Sequence, residues 1–236
     1  MKQTYLDCLA ALGVGGAHPG GLKLSKKLLE KENLQPEMTV LDLGCGTGQT
    51  AAYIARKYKC RVTALDVDPT MLEKCRQRMD EEALSVEIVR GDAENLPFKD
   101  RTFDLVLAES VIAFVDMEKA ISECRRVLRD EGCLLAIEIS KYGILHPEEE
   151  KMIMDFYGFT ELPTEKRWHE KLYAGGFTQV ESEMAKIDFF TPDFENAPDF
   201  RISEVVDPAC FDMLQEHEYL TKSYQEELSY HIFRCK

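Results

Sequence analysis

The chain has 236 residues, 44% of them hydrophobic and 31% charged, and carries a net charge of −14. That suits a globular domain with a sizeable core, and the negative balance argues against a nucleic-acid substrate, whose phosphates an acidic surface repels. No stretch approaches the roughly 20 apolar residues needed to span a bilayer, and residues 1–16 lack the basic-then-apolar pattern of an export signal, so a cytoplasmic location is expected. The acid is uneven: residues 181–236 hold thirteen Asp and Glu against five Lys and Arg. Eight cysteines are scattered without a C-x-x-C pair, and the expectation is that all are reduced core thiols.

Taken in order, residues 4–12 carry Leu6, Leu9 and Ala10 at helical spacing, and GVGGAHPGG at 13–21 is too rich in glycine to be other than loop. Residues 22–31 form a second amphipathic helix on Leu24, Leu28 and Leu29. MTVLDL at 38–43 is a short apolar strand, and Gly44, Gly46 and Gly48 follow before a helix-forming run from Gln49. CRVTALD at 60–66 is a second strand, after which Asp68 caps a helix that Pro69 begins. A third strand at 86–90, a turn-rich loop at 96–101 and a fourth strand FDLVLA at 103–108 lead to a helix capped by Asp116. DEG at 130–132 turns into a fifth strand at 133–139. Two helices at 147–157 and 164–174 precede a sixth strand at 177–185. An acidic loop at 188–198 holds Phe189, Phe190 and Phe194, residues 203–225 read as mostly helical, and LSYHIFRC at 228–235 reads as a seventh strand, antiparallel to the rest.

Strands alternating with helices predict an α/β sheet, mostly parallel and covered on both faces. Ligands in such sheets bind at the carboxyl ends of the strands. Asp42, Asp66, Asp92 and Glu109 all fall there. Three glycines at a strand-to-helix turn expose backbone N–H groups to a ligand that a Cβ would exclude. Asp66, 22 residues after Gly44, stands where an acid accepts both ribose hydroxyls in nucleotide-binding α/β proteins. A dinucleotide site needs G-x-G-x-x-G, and Gln49 occupies the third glycine position. The acids favour a ligand with a cationic centre and no phosphate. As a strand-end acid facing a cleft, Asp66 is expected to contribute little to fold stability.

VLDLGCGTG, TALDVDPTML, GDAENLPFKDRTFDLVLA and LRDEGCLLAIE together span residues 40–138 and resemble the motifs of the class I S-adenosylmethionine-dependent methyltransferases. The resemblance implies a Rossmann-like sheet of seven strands with the last antiparallel. It implies one domain over 1–236, with a helical cap at 1–35 and insertions at 141–176 and 186–227. Asp42 and the backbone of Gly44, Cys45, Gly46, Gly48 and Gln49 would then hold the methionine part of S-adenosyl-L-methionine. Asp66 would bind the ribose, with Val67 and Met71 beside the adenine, Asp92 accepting from its amino group and the Ala93 N–H donating to its ring. The expected activity is methyl transfer to a small-molecule acceptor, without a metal.

Methyl transfer from a sulfonium needs orientation more than a base. Glu109, entering the cleft where the methyl group should lie, is expected to hold the cofactor's ammonium group or contact the acceptor; if a base acts, Glu109 is the first candidate and His18 the second. His146, His169, His217 and His231 are read as structural, Trp168 and Tyr173 as core, and the aromatic loop from Phe189 to Phe200 as pocket lining or lid. A sensor or partner subunit that binds the cofactor without turnover and an α/β oxidoreductase are the alternatives from other classes.

Overall fold

In the computed structural model, which describes residues 3–185 and 199–236, seven strands form one sheet in the order β3-β2-β1-β4-β5-β7-β6. They are β1 (Thr39–Leu43), β2 (Arg61–Asp66), β3 (Glu87–Arg90), β4 (Phe103–Glu109), β5 (Leu128–Lys141), β6 (Val180–Ala185) and β7 (Leu228–Cys235). The first five are parallel. β7 inserts between β5 and β6 and runs antiparallel to both. The eight α-helices among the described residues are α1 (Tyr5–Leu12), α2 (Gly21–Lys31), α3 (Gln49–Tyr58), α4 (Pro69–Glu81), α5 (Met117–Val127), α6 (Pro147–Tyr157), α7 (Glu165–Ala174) and α8 (Ala209–Ser223).

Side chains alternate across the sheet, so each central strand feeds two cores. Leu41, Val106, Leu134 and Ala136 pack against Ile121 and Cys124 of α5 and Trp168 and Leu172 of α7. Val40, Leu105, Leu107 and Leu135 pack against Leu28 of α2, Ile54 of α3 and Met79 of α4. Apolar runs such as LVLA are therefore buried on both faces, which is why they are unbroken. Caps fix the helix starts. Thr4 and Asp7 form a capping box on α1, and Asp68 accepts from the Thr70 and Met71 N–H groups at 2.7 and 2.9 Å.

The segment after α1 pairs with a distant one. Gly15 N–H donates to the Asp199 carbonyl at 2.8 Å, Arg201 N–H to Gly13 at 3.0 Å and Ser203 N–H to Ala11 at 2.9 Å. Two cations of α4 clamp this ladder. Lys74 donates to the carbonyls of Ala11 and Arg201 and to Ser203 Oγ, and Arg78 bonds Thr47 and Asp199.

Several expectations are corrected. Cys8 on α1 and Cys210 on α8 form a disulfide, so not all eight cysteines are thiols; the other six are free. β5 begins at Leu128 rather than residue 133, because Leu128 already pairs with Phe103 of β4 before an irregularity, after which the register resumes at Leu105 and Cys133. β6 begins at Val180 rather than 177, since Phe177 turns into the core. The last helix starts at Ala209 rather than 203, because Ser203 is committed to the ladder with Ala11. Trp168 is fully buried and donates its indole N–H to the Ile139 carbonyl at 3.0 Å, but Tyr173 is half exposed. Five residues along a helix turn through about 140°, which puts the two rings on different faces. Phe189, Phe190 and Phe194 lie outside the described residues; Phe200 is exposed and bridges Val14.

Candidate active site

The carboxyl ends of β1, β2 and β4 open on a cavity of about 930 Å³. At β1 the chain leaves through Gly44, Gly46 and Gly48, all at positive φ. A Cβ on Gly44 would stand 2.5 Å from Val111 Cγ2, and one on Gly48 2.5 Å from Cys75 Sγ. These two glycines are demanded by the protein's own packing. Gly46 differs: a Cβ there would meet nothing closer than Met71 Sδ at 3.9 Å, so it faces the cavity. The turn is tied down by Cys45 N–H on the Leu65 carbonyl and Gly46 N–H on Asp66 Oδ2, both 2.9 Å.

Asp42 lies beneath this turn, buried, and its Oδ2 has no hydrogen-bond partner among the described residues. Burial first, and the charge of Glu109 second, push its carboxyl well above the usual carboxylate range. Gln49 Oε1 at the start of α3 is equally unpartnered among the described residues. Asp66 accepts from Gly46 N–H through one oxygen and from Asp68 N–H through the other, both at 2.9 Å. Burial raises its pKa against those two bonds. These bonds tie the turn to the start of α4, which argues against the expectation that Asp66 contributes little to fold stability. Asp92 accepts from Glu94 N–H at 2.9 Å, Ala93 beside it is buried, and Val67 and Met71 complete this side, Val67 being largely exposed.

Glu109 gathers the helical segments onto the sheet. Ser25 of α2 donates to its Oε1 at 2.5 Å, Thr50 of α3 donates to its Oε2 at 2.8 Å, and His18 Nε2 stands 3.4 Å from Oε2. His18 is also within 3.2 Å of Ser25 Oγ. The two residues expected to act on a proton are thus brought together in one buried network. Ser25 was not anticipated, though a serine among Leu24, Leu28 and Leu29 is the sequence trace of it. Glu138 was not anticipated either. This single acid in the apolar run of β5 is fully buried and accepts the N–H groups of Val111, Ile112 and Ala113 at 3.0, 2.9 and 3.3 Å. Burial pushes it up to about 7 against those three bonds.

The other part of the cavity is built by α1, α6 and α8. Tyr5, Tyr157, Phe159, Leu214 and His217 line it. His217 is thereby moved from the structural histidines to the cavity wall. The remaining three stay away from it: His146 caps α6, His169 bonds Ser182, and His231 is buried 3.5 Å from Glu165. Eight carboxylates line the whole cavity and, among the described residues, no Lys or Arg. Such a site favours a cationic ligand centre and rejects phosphate. Among the described residues there is no group of three metal-ligating side chains, and no helix is long and apolar enough to cross a membrane.

Residues 41–136 match a family model described as a methyltransferase domain. The chain is 40% identical over 229 residues to the uncharacterized methyltransferase YodH of Bacillus subtilis (strain 168), covering 97% of each. It is 31% identical over 141 residues to a glycine/sarcosine/dimethylglycine N-methyltransferase of Actinopolyspora halophila, covering 56% of this chain and 25% of that one. Among solved structures, phosphoethanolamine N-methyltransferase 2 of Haemonchus contortus in complex with S-adenosyl-L-methionine superposes with a TM-score of 0.78 at 21% identity, over 98% of this chain and 57% of the other. That likeness is one of fold. The glycine turn, the acids at the strand ends, the sheet with its inserted antiparallel strand and the full-length similarity agree: the chain belongs to the class I S-adenosylmethionine-dependent methyltransferases, with S-adenosylmethionine as its methyl donor.

Proposed function

We propose that this methyltransferase acts on a small molecule bound in the same cavity as the donor, and that residues 1–236 work as one domain whose first 35 residues cap the site. The observation that carries this reading is the continuity of the cavity, from the strand-end carboxylates and the open face of Gly46 to the aromatic wall of α1, α6 and α8. Its volume of about 930 Å³ lies near the top of the ~300–1,000 Å³ range of small-molecule pockets. The residues fit the donor. The unpartnered oxygens of Asp42 and Gln49 are acceptors for an ammonium group, and Asp66 keeps lone pairs for two ribose hydroxyls. Asp92 and the Ala93 N–H match an adenine edge, with Val67 and Met71 against its faces.

When bound, the donor supplies an electrophilic methyl group and needs no protein nucleophile. The chain's own work is to orient the acceptor and exclude water. Glu109, through Ser25 and His18, holds the cap segment against the sheet while keeping further lone pairs for the donor's ammonium group or the acceptor. His18 supports Glu109. The test is a thermal-shift titration followed by an acceptor screen that reads S-adenosylhomocysteine release. S-adenosylmethionine and S-adenosylhomocysteine at about 100 times their Kd should stabilise the protein by ~2.7 kcal/mol, and NAD should not. A flat response to both sulfur ligands overturns the site assignment, and turnover restricted to macromolecular acceptors overturns the small-molecule reading.

A further inference from the structure

The cavity wall made by α1, α6 and α8 is aromatic. The Tyr157 ring stacks on Phe159 with centroids 5.0 Å apart and meets Tyr5 edge-on at 5.0 Å; Phe159 in turn packs on Phe114 at 4.8 Å. Flat faces and edges at these spacings accept a planar apolar body. Three polar side chains interrupt this wall and converge. Tyr157 Oη lies 3.0 Å from His217 Nδ1 and Tyr5 Oη 3.4 Å from the same atom. One ring nitrogen makes one good bond, and the shorter contact identifies Tyr157 as the partner. Tyr5 Oη is left with only the longer contact, and both contacts fall on His217 Nδ1 rather than Nε2. The other hydroxyl on this side, Thr221 Oγ1, is spent on the carbonyls of His217 and Glu218 in its own helix.

Resting on the reading that donor and acceptor share this cavity, we propose that Tyr5, Tyr157 and His217 are the acceptor-recognition cluster and select an uncharged aromatic molecule bearing a hydroxyl group. A hydroxyl both donates and accepts, so it satisfies Nε2 in either tautomer of His217. Among the described residues no Lys or Arg lines the cavity to receive an anion, and Asp7, the acid nearest in sequence to Tyr5, is engaged in the capping box with Thr4. Away from the strand-end carboxylates, the burial of these three groups penalises charge on them. Burial lowers the His217 pKa and raises those of Tyr5 and Tyr157, so all three stay neutral at pH 7, and a charged acceptor would meet the same cost.

The test uses the full chain saturated with S-adenosylhomocysteine and three probes of one shape, 4-methylphenol, 4-methylbenzoate and 4-methylbenzylamine, at pH 7. Ligand-observed NMR titration should show 4-methylphenol binding at least about tenfold more tightly than either charged probe. His217→Leu should weaken it by about 2- to 12-fold, the range for one neutral hydrogen bond, and His217→Gln should restore most of the loss. Tyr157→Phe, which keeps the ring, carries the same test if His217→Leu does not fold. Calorimetry of S-adenosylhomocysteine on each variant should be unchanged, which separates this proposal from the donor site. Failure of S-adenosylhomocysteine to bind the parent chain overturns the shared-cavity reading and this proposal with it. With that ligand bound, three results each overturn the cluster alone: no binding of 4-methylphenol, equal or tighter binding of a charged probe, or unchanged phenol affinity in the variants.

Discussion

Replacing Asp66 with Ala tests the donor site and the architecture of the turn at once. Its two oxygens each hold one backbone N–H, of Gly46 and of Asp68, and lie on the cavity wall where the ribose hydroxyls are proposed to bind. Hydrogen bonds to a charged group are worth ~1.5–3 kcal/mol each. Two lost to ribose, partly replaced by water, give a loss of about 2–4 kcal/mol in affinity, or roughly 30- to 1,000-fold in Kd. The two lost to backbone lower the stability of the ligand-free protein by about 1–3 kcal/mol, because water entering from the cavity satisfies part of what the carboxylate held. Isothermal calorimetry with S-adenosylhomocysteine reads the first quantity and urea unfolding of the free protein reads the second. Unchanged affinity would refute the ribose role. Unchanged unfolding midpoints would refute the claim that Asp66 ties the turn to α4.

Gly46→Ala and Gly48→Ala should separate ligand space from packing. Both force Ala to positive φ at a cost of ~1–2 kcal/mol, but only the second drives a Cβ to 2.5 Å from Cys75 Sγ, adding ~1–3 kcal/mol of overpacking. Gly46→Ala should instead lose S-adenosylhomocysteine affinity by about tenfold or more, and normal binding by it would refute the open-face argument. Glu138 should make stability fall as pH rises. Its carboxyl is held up to about 7 in the folded chain against about 4.5 unfolded, so the contribution is complete below pH 4.5 and lost through pH 7, worth ~3 kcal/mol. Denaturation midpoints of the parent minus those of Glu138→Gln should decline over that window, and a level difference would refute the burial effect. Glu109→Gln should weaken S-adenosylhomocysteine by ~1.5–3 kcal/mol before any acceptor is present. Intact affinity with turnover lowered ~10²–10⁴-fold would identify Glu109 as a base instead.

What the sequence reveals depends on how local its cause is. The β1–turn–α3 unit, the Asp68 cap with Pro69 and the span of β7 are readable because strand period, glycine freedom and capping all act within a few residues. The acids at strand ends follow from the same local pattern plus one topological rule. Ser25 and Thr50 meet Glu109 across 84 and 59 residues, and His217 meets Tyr5 across 212. No periodicity within α2 or α8 encodes those partners, because the contact is decided by how the helices pack over the sheet. The Cys8–Cys210 bond is hidden for the same reason. Tyr173 misled because five-residue spacing on a helix resembles a stripe only until the angle is worked out.

The disulfide has a topological consequence. It closes a covalent ring around residues 8–210, which contains β1 to β6, while β7 lies outside the ring and inserts between two of its strands. A reductant opens that ring without removing any strand from the sheet. The helices it unlinks, α1 and α8, carry Tyr5 and His217, whereas Asp42, Asp66 and the glycine turn belong to the sheet and its own connections. Cutting the bond therefore loosens one end of the cavity and leaves the other anchored, so that the two halves of a single pocket differ in their sensitivity to thiols.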